Sequence, residues 1–198
     1  MLDYPKRMFV PFLLFLLVAA PFELHAADEF TISPTALGPL KLPFGHATAS
    51  KAKLQRLFPK FTIKYGIGQG DSPNFHIFEV SSPSGELLFA IKSFIEEGKS
   101  DKETAAEVPI SILSVYSRTI PDSYGLRVGD SASKVIARRG KNLKSGWGHF
   151  DFLAGDGLIF YRFGNNEKHS VDEPFSLESA AREDLRIQSI SWPGPAWE

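Results

Sequence analysis

FHIFEVSSPSGELLFAIKSF, residues 75–94, carries the clearest structural signal in this chain. Two apolar runs, 75–81 and 86–94, flank Ser82-Pro83-Ser84-Gly85. Proline presets the φ of a turn, and glycine adopts backbone angles that other residues avoid. The tetrapeptide therefore predicts a hairpin between two strands.

The pattern continues outward in both directions. Phe61, Ile63 and Tyr65 alternate with Thr62 and Lys64, the period of a half-buried strand, and residues 66–74 form a turn-rich connection. Before them, residues 48–58 read as a short helix. Leu54, Leu57 and Phe58 share one face, Thr48 or Ser50 supplies the cap, and Pro59 ends it. After the hairpin, 96–107 is a charged surface loop and 108–116 a strand rich in Ile and Val. Residues 131–139 predict a second helix, capped by Asp130 or Ser131 and stopped at Gly140, with Ala132, Val135 and Ile136 on its buried face. Strands follow at 149–153, 158–163 and 185–192, with a very short helix at 176–182.

This order predicts an α+β fold: an antiparallel sheet with two or three short helices on one face. Each half opens with a short basic helix and continues into strands. Ala49-Ser50-Lys51 matches Ala132-Ser133-Lys134, which suggests a duplication, although the apolar phases diverge after the match.

Residues 1–26 have the layout of a secretory signal peptide. Lys6 and Arg7 precede an apolar run from Phe9 to Ala20, and Leu24-His25-Ala26 precedes Ala27. That run is shorter than the roughly 20 residues a membrane-spanning helix needs. The expectation is an exported, periplasmic or secreted protein cleaved near Ala26. It comprises one domain over 27–193, a tail at 194–198 and no transmembrane helix in the mature chain. Lys6, Arg7, Asp3 and Glu23 leave with the signal. The 22 basic and 23 acidic residues of the whole chain thus become 20 and 21. A near-neutral chain gives no electrostatic reason to expect nucleic acid as a partner. Cysteine is absent, which excludes disulfides, thiol catalysis and a lipidated N-terminal cysteine. Seventeen phenylalanines, scattered as singles, predict a Phe-rich interior.

Several segments together resemble a known type. They are Gly38-Pro39-Leu40, Leu57-Phe58-Pro59-Lys60-Phe61, the stretch from 114–117 to Gly125-Leu126-Arg127-Val128-Gly129-Asp130, and the closing strand at 187–192. The chain resembles the RpoE-regulated lipoprotein family of bacterial envelope proteins over most of 30–193, without the lipidated cysteine. The Gly-x-x-x-Gly-Asp-Ser segment is also similar to small envelope domains of the outer-membrane assembly and β-lactamase-inhibitor-like type. Both resemblances imply a non-enzymatic α+β module and no catalytic residues.

Of the candidate chemistry, His149 and Asp151 stand two apart on a predicted strand and would project on one face. That spacing suits an imidazole oriented for base catalysis, with no nucleophile identified. Gly66-Ile67-Gly68-Gln69-Gly70 lacks the spacing of a phosphate loop. Asp151, Asp156, Asp172 and Glu173 lack that of a calcium loop. The expectation is no cofactor and no metal. Charge concentrates between 127 and 144. Arg127, Lys134, Arg138, Arg139, Lys141 and Lys144 stand there against Asp130 alone, with Trp147 following. Lys134, Arg138, Arg139, Lys141, Lys144 and Trp147 are the candidate binding residues for an envelope protein or anionic envelope component. The functional expectation is an exported, non-enzymatic domain that binds such a component. A hydrolase using His149 and Asp151, or an enzyme-inhibitor-like module, is the alternative.

Overall fold

The computed structural model describes residues 31–33, 36–38, 40–41, 47–69, 74–95, 107–140, 143–148, 151–164 and 176–192. The signal-peptide segment and the tail lie outside them. Residues 27–47 are rich in proline and glycine and read from sequence as an extended lead-in, yet three two-residue strands, β1 (Ile32–Ser33), β2 (Ala36–Leu37) and β3 (Leu40–Lys41), make a small sheet there. β4 (Thr48–Ala49) leads into α1 (Lys51–Leu57), then β5 (Thr62–Gly68), β6 (Phe75–Ser81) and β7 (Leu87–Phe94). The expected strand at 108–116 is two strands, β8 (Val108–Pro109) and β9 (Ile112–Val115). The second half contains α2 (Ala132–Arg139), β10 (Lys144–Gly148), β11 (Asp151–Gly155), β12 (Phe160–Phe163), α3 (Leu177–Arg182) and β13 (Ile187–Trp192). β10 had no counterpart in the sequence reading, because its Lys-Ser-Gly-Trp-Gly carries no apolar alternation.

The main sheet is antiparallel, with strand order β10-β11-β12-β13-β9-β7-β6-β5. The α+β expectation holds. The order is that of two helix-plus-four-strand halves meeting at β9 and β13. Ser50 and Ser131 cap α1 and α2, each accepting from the amide three residues on. Aligned on these caps, Leu54 matches Val135, and both are fully buried. The Ala-Ser-Lys match pairs Ser50 with Ser133 instead. It is two residues out of step, which is why the apolar phases diverge.

The core lies on one face of the sheet. Val80, Phe89, Val115, Ile190, Tyr161 and Ala154 stand in register across six strands, and all are buried. Leu54, Phe58, Val135, Leu177 and Ala180 from the helices join the same cluster. Strand alternation would turn Ile187 away from Ile190. The register shift opposite Arg162 and Phe163 inserts Gln188, so both isoleucines are buried and Gln188 is exposed. On α2, Val135 is fully buried and Ile136 only half-buried.

Candidate functional site

α2 ends inside the molecule. Its last residue, Arg139, belongs to the sequence's basic cluster, yet its side chain is only 4% exposed. The guanidinium pairs with the Asp156 carboxylate, donates to the Tyr161 hydroxyl at 3.0 Å and stacks 4.0 Å from the Tyr124 ring centroid. Tyr161, fully buried, donates in turn to Asp122 at 2.5 Å. The other Asp122 oxygen accepts from the amides of Tyr124 (2.9 Å) and Leu126 (2.8 Å). Burial pushes the Tyr161 hydroxyl far above its ordinary range, and the neighbouring Asp122 adds to the effect. Tyr161 therefore stays protonated and acts as a donor. Aligned on the caps, Arg139 occupies the place of Phe58, which packs edge-on against Phe89 in the first half. One half closes its helix end with aromatic packing and the other with a buried polar chain.

Asp156 sits in the turn between β11 and β12. Burial acts to raise its pKa. The Ile159 and Leu158 amides and Arg139 outweigh that, so the net direction is downward. A carboxyl whose folded pKa is depressed stabilises the fold above its unfolded pKa, and that stability is lost as pH falls through the folded value. We therefore expect thermal stability to fall on acidification below the ordinary carboxylate range. Asp156→Asn should be less stable at neutral pH and flatter across the acid limb, as read by melting curves at stepped pH.

The rest of the basic cluster is dispersed. Lys134 pairs with Asp130 at 2.8 Å, one helical turn away. Arg138 is exposed on α2, whereas Lys144 is exposed on the edge strand β10. Lys141 and His149 lie outside the described residues, as do the side chains of Trp147 and Asp151. The backbones of Trp147 and Asp151 pair with Phe152 and Gly148 across β10 and β11.

Among the described residues the one histidine is His76, whose Nδ1 lies 2.9 Å from the Tyr65 hydroxyl. It faces Ser93 across the β6–β7 pair, and Ser93 is 1% exposed with its hydroxyl unbonded. That burial leaves a substrate no approach to the serine. No three metal-ligating side chains converge among the described residues, and no described helix is long and apolar enough to cross a membrane. An open pocket of about 490 Å³ lies beside Gly129, between Arg118, Gln188 and Arg186. Arg186 itself is held by Asp184 and the Gly129 carbonyl.

The other face of the sheet has a different character. Ser191, Ser114 and Ala90 stand side by side at its centre, all buried, and the two serine hydroxyls are 2.7 Å apart. Half-buried Phe75, Ile77, Lys92 and Ile112 flank that floor on one side, and Phe160 and Arg162 on the other. None belongs to the core cluster, and the helices contribute their buried residues to the opposite face. Lys92 lies over the Phe75 ring, 4.5 Å from its centroid. Sequence reading missed this site because its cations come from different strands. The signal within reach was the interruption of apolar strands by lone cations, Lys92 in 87–94 and Arg162 in 160–163.

The fold is similar to that of the uncharacterised protein YfeY from Escherichia coli. The TM-score is 0.57 at 15% sequence identity, over 83% of this chain and 99% of that one. No family model and no curated protein matches the sequence. At that identity the likeness concerns the fold alone.

Proposed function

We propose that this protein is an exported, non-enzymatic domain of the cell envelope that binds another envelope component through its sheet. The observation that carries this reading is the second face of the sheet. It is free of described helices, floored by small residues and bordered by half-buried aromatic and cationic side chains. A face that served only to meet water would alternate in polar residues. Half-buried rings and cations gathered around a low floor suit a partner's surface better. Export is supported by the signal layout of residues 1–26. Kinship with the RpoE-regulated lipoprotein type is supported by the motifs of the sequence and by the fold shared with YfeY.

Two measurements test the proposal. N-terminal sequencing of the protein recovered from a periplasmic fraction should begin at or near Ala27. An intact Met1 on membrane-bound material would overturn the export reading. A panel of esterase, peptidase and glycosidase substrates should show no turnover, and turnover that follows His149 would return the hydrolase reading.

A further inference from the structure

Gln188 is the residue that the register shift between β12 and β13 leaves without a strand partner. A bulge re-aims the side chain it inserts, and bulges are over-represented next to functional sites. Here the side chain turns onto Gly164, the residue after β12, where a Cβ would stand only 2.1 Å from the Gln188 Nε2. The amide therefore lies flat on backbone and lines the open pocket of about 490 Å³. Arg118 lies on Gly129 in the same way, its Nε 3.3 Å from where a Cβ would be. Among the described residues no hydrogen bond or ion pair holds either head group. The backbone around them is fixed. Gly129 and Ala132 donate to the Ile187 and Leu185 carbonyls at 2.7 and 2.9 Å, and Ile187 donates to the Asp130 carbonyl at 2.9 Å. Asp184 completes the polar lining. It is the one non-glycine residue at positive φ (51°) among the described residues, in the position after the α3 cap where glycine is at ease. Its carboxylate holds Arg186. A side chain kept in a costly conformation points to a use for it, here the clamping of Arg186.

We propose that this pocket binds the carboxylate end of a peptide. The site lies apart from the sheet face of the preceding reading and does not depend on it. The lining carries two arginines against one aspartate, and that aspartate is paired with Arg186. Arg118 is the charge left over, so one negative charge balances the pocket. A planar guanidinium grips a carboxylate through two parallel bonds. The Gln188 amide is donor and acceptor at once, which matches the last peptide group of the ligand. Half-buried Val128 and Leu185 give its terminal side chain an apolar wall. A phosphate would bring up to two negative charges beside Asp184 with one free cation to meet them. The volume lies in the range of small-ligand pockets and exceeds what a lone carboxylate fills.

The test titrates the purified full chain, methyl-labelled at Ile, Leu and Val, with the dipeptide acid acetyl-Ala-Val. Its C-terminal amide, acetate and inorganic phosphate are the comparison ligands. The expected result is a saturable shift of the Gln188 side-chain amide and the Val128 and Leu185 methyls at about millimolar acid. Leu54 in α1, and Ile77 and Ile112 on the helix-free face, should stay unmoved. The dipeptide amide should bind roughly tenfold more weakly or worse. Arg118 has no internal partner, so Arg118→Met should melt like wild type and lose the acid roughly tenfold or more. Arg118→Lys keeps the charge without the fork and should restore only part of that loss. Gly164→Ala pushes the Gln188 amide off its seat and should weaken the acid without changing any charge. Equal binding of acid and amide, unchanged affinity in Arg118→Met, or no shift at saturating acid would overturn the proposal. Acetate or phosphate binding as tightly as the dipeptide would overturn it in favour of a bare anion site. Shifts confined to Ile77 and Ile112 would overturn this pocket and leave the sheet-face reading standing.

Discussion

Replacing Asp122 with alanine should lower stability by about 3–5 kcal/mol, the range for removing one member of a buried charged network. Asp122 is 2% exposed and accepts three hydrogen bonds, from the Tyr161 hydroxyl and the Tyr124 and Leu126 amides. Alanine leaves all three donors to find partners in a site with little water. It also removes the nearby negative charge from a side chain whose hydroxyl already accepts from Arg139. Asp122→Asn retains an acceptor for the two amides and should cost roughly half as much. Tyr161→Phe removes a single hydroxyl from between Arg139 and Asp122, with an expected cost of about 1–3 kcal/mol. Urea titrations of the three variants give the order directly. If Asp122→Ala costs less than about 1 kcal/mol, the net value of an ordinary hydrogen bond, the chain of contacts has no structural role.

Phe89→Ala should cost about 3–5 kcal/mol, the range for emptying a phenylalanine site in a packed core. Phe89 is fully buried in β7, between Val80 and Val115 in the register. Its ring meets Phe58 at 5.3 Å and 66°, an edge-to-face contact. The cavity would open where α1 closes on the sheet, and a seven-residue helix has little hydrogen bonding of its own to hold it there. Loss of α1 before the sheet, seen as early exchange of its amides, is therefore the expected order of unfolding. A double-mutant cycle with Phe58→Ala should return a coupling of about 0.5–1.5 kcal/mol for the ring pair. Full additivity would show that the two rings merely fill space side by side.

These two sites are the counterparts of one another in the two halves, and the sequence disguised that. The hairpin at 75–94 and the alternation before it were legible because a strand's period of two is local. So were the starts of α1 and α2, where Ser50 rather than Thr48 and Ser131 rather than Asp130 take the cap, whereas the Ser176 cap of α3 emerges only in the structure. β10 escaped for the opposite reason. Its Gly-rich edge position needs no apolar face of its own, and it becomes a strand by pairing with β11. The split of 108–116 into β8 and β9 was equally invisible, since one pairs with β4 and the other with β7 and β13.

The candidate site shows where local reading stops. Six cations within 127–144 look like one patch along the chain. In space Arg139 is buried against Asp156 and Tyr161, Lys134 is paired with Asp130, and Lys144 stands on an edge strand apart from Arg138. The partners of Arg139 lie 17 and 22 residues away along the chain. The cations of the helix-free face, Lys92 and Arg162, come from different halves. The sequence by itself determined the three helices, the strands that alternate or run apolar, and which side chains prefer the interior, because these follow from short-range periodicity and backbone preference. The tertiary structure decided register, the meeting of the two halves at β9 and β13, and which charges, such as those of Arg139 and Lys134, find a neutralising partner. Coulombic and hydrogen-bond partners are selected by distance in space, and that distance is fixed only when the whole sheet has paired.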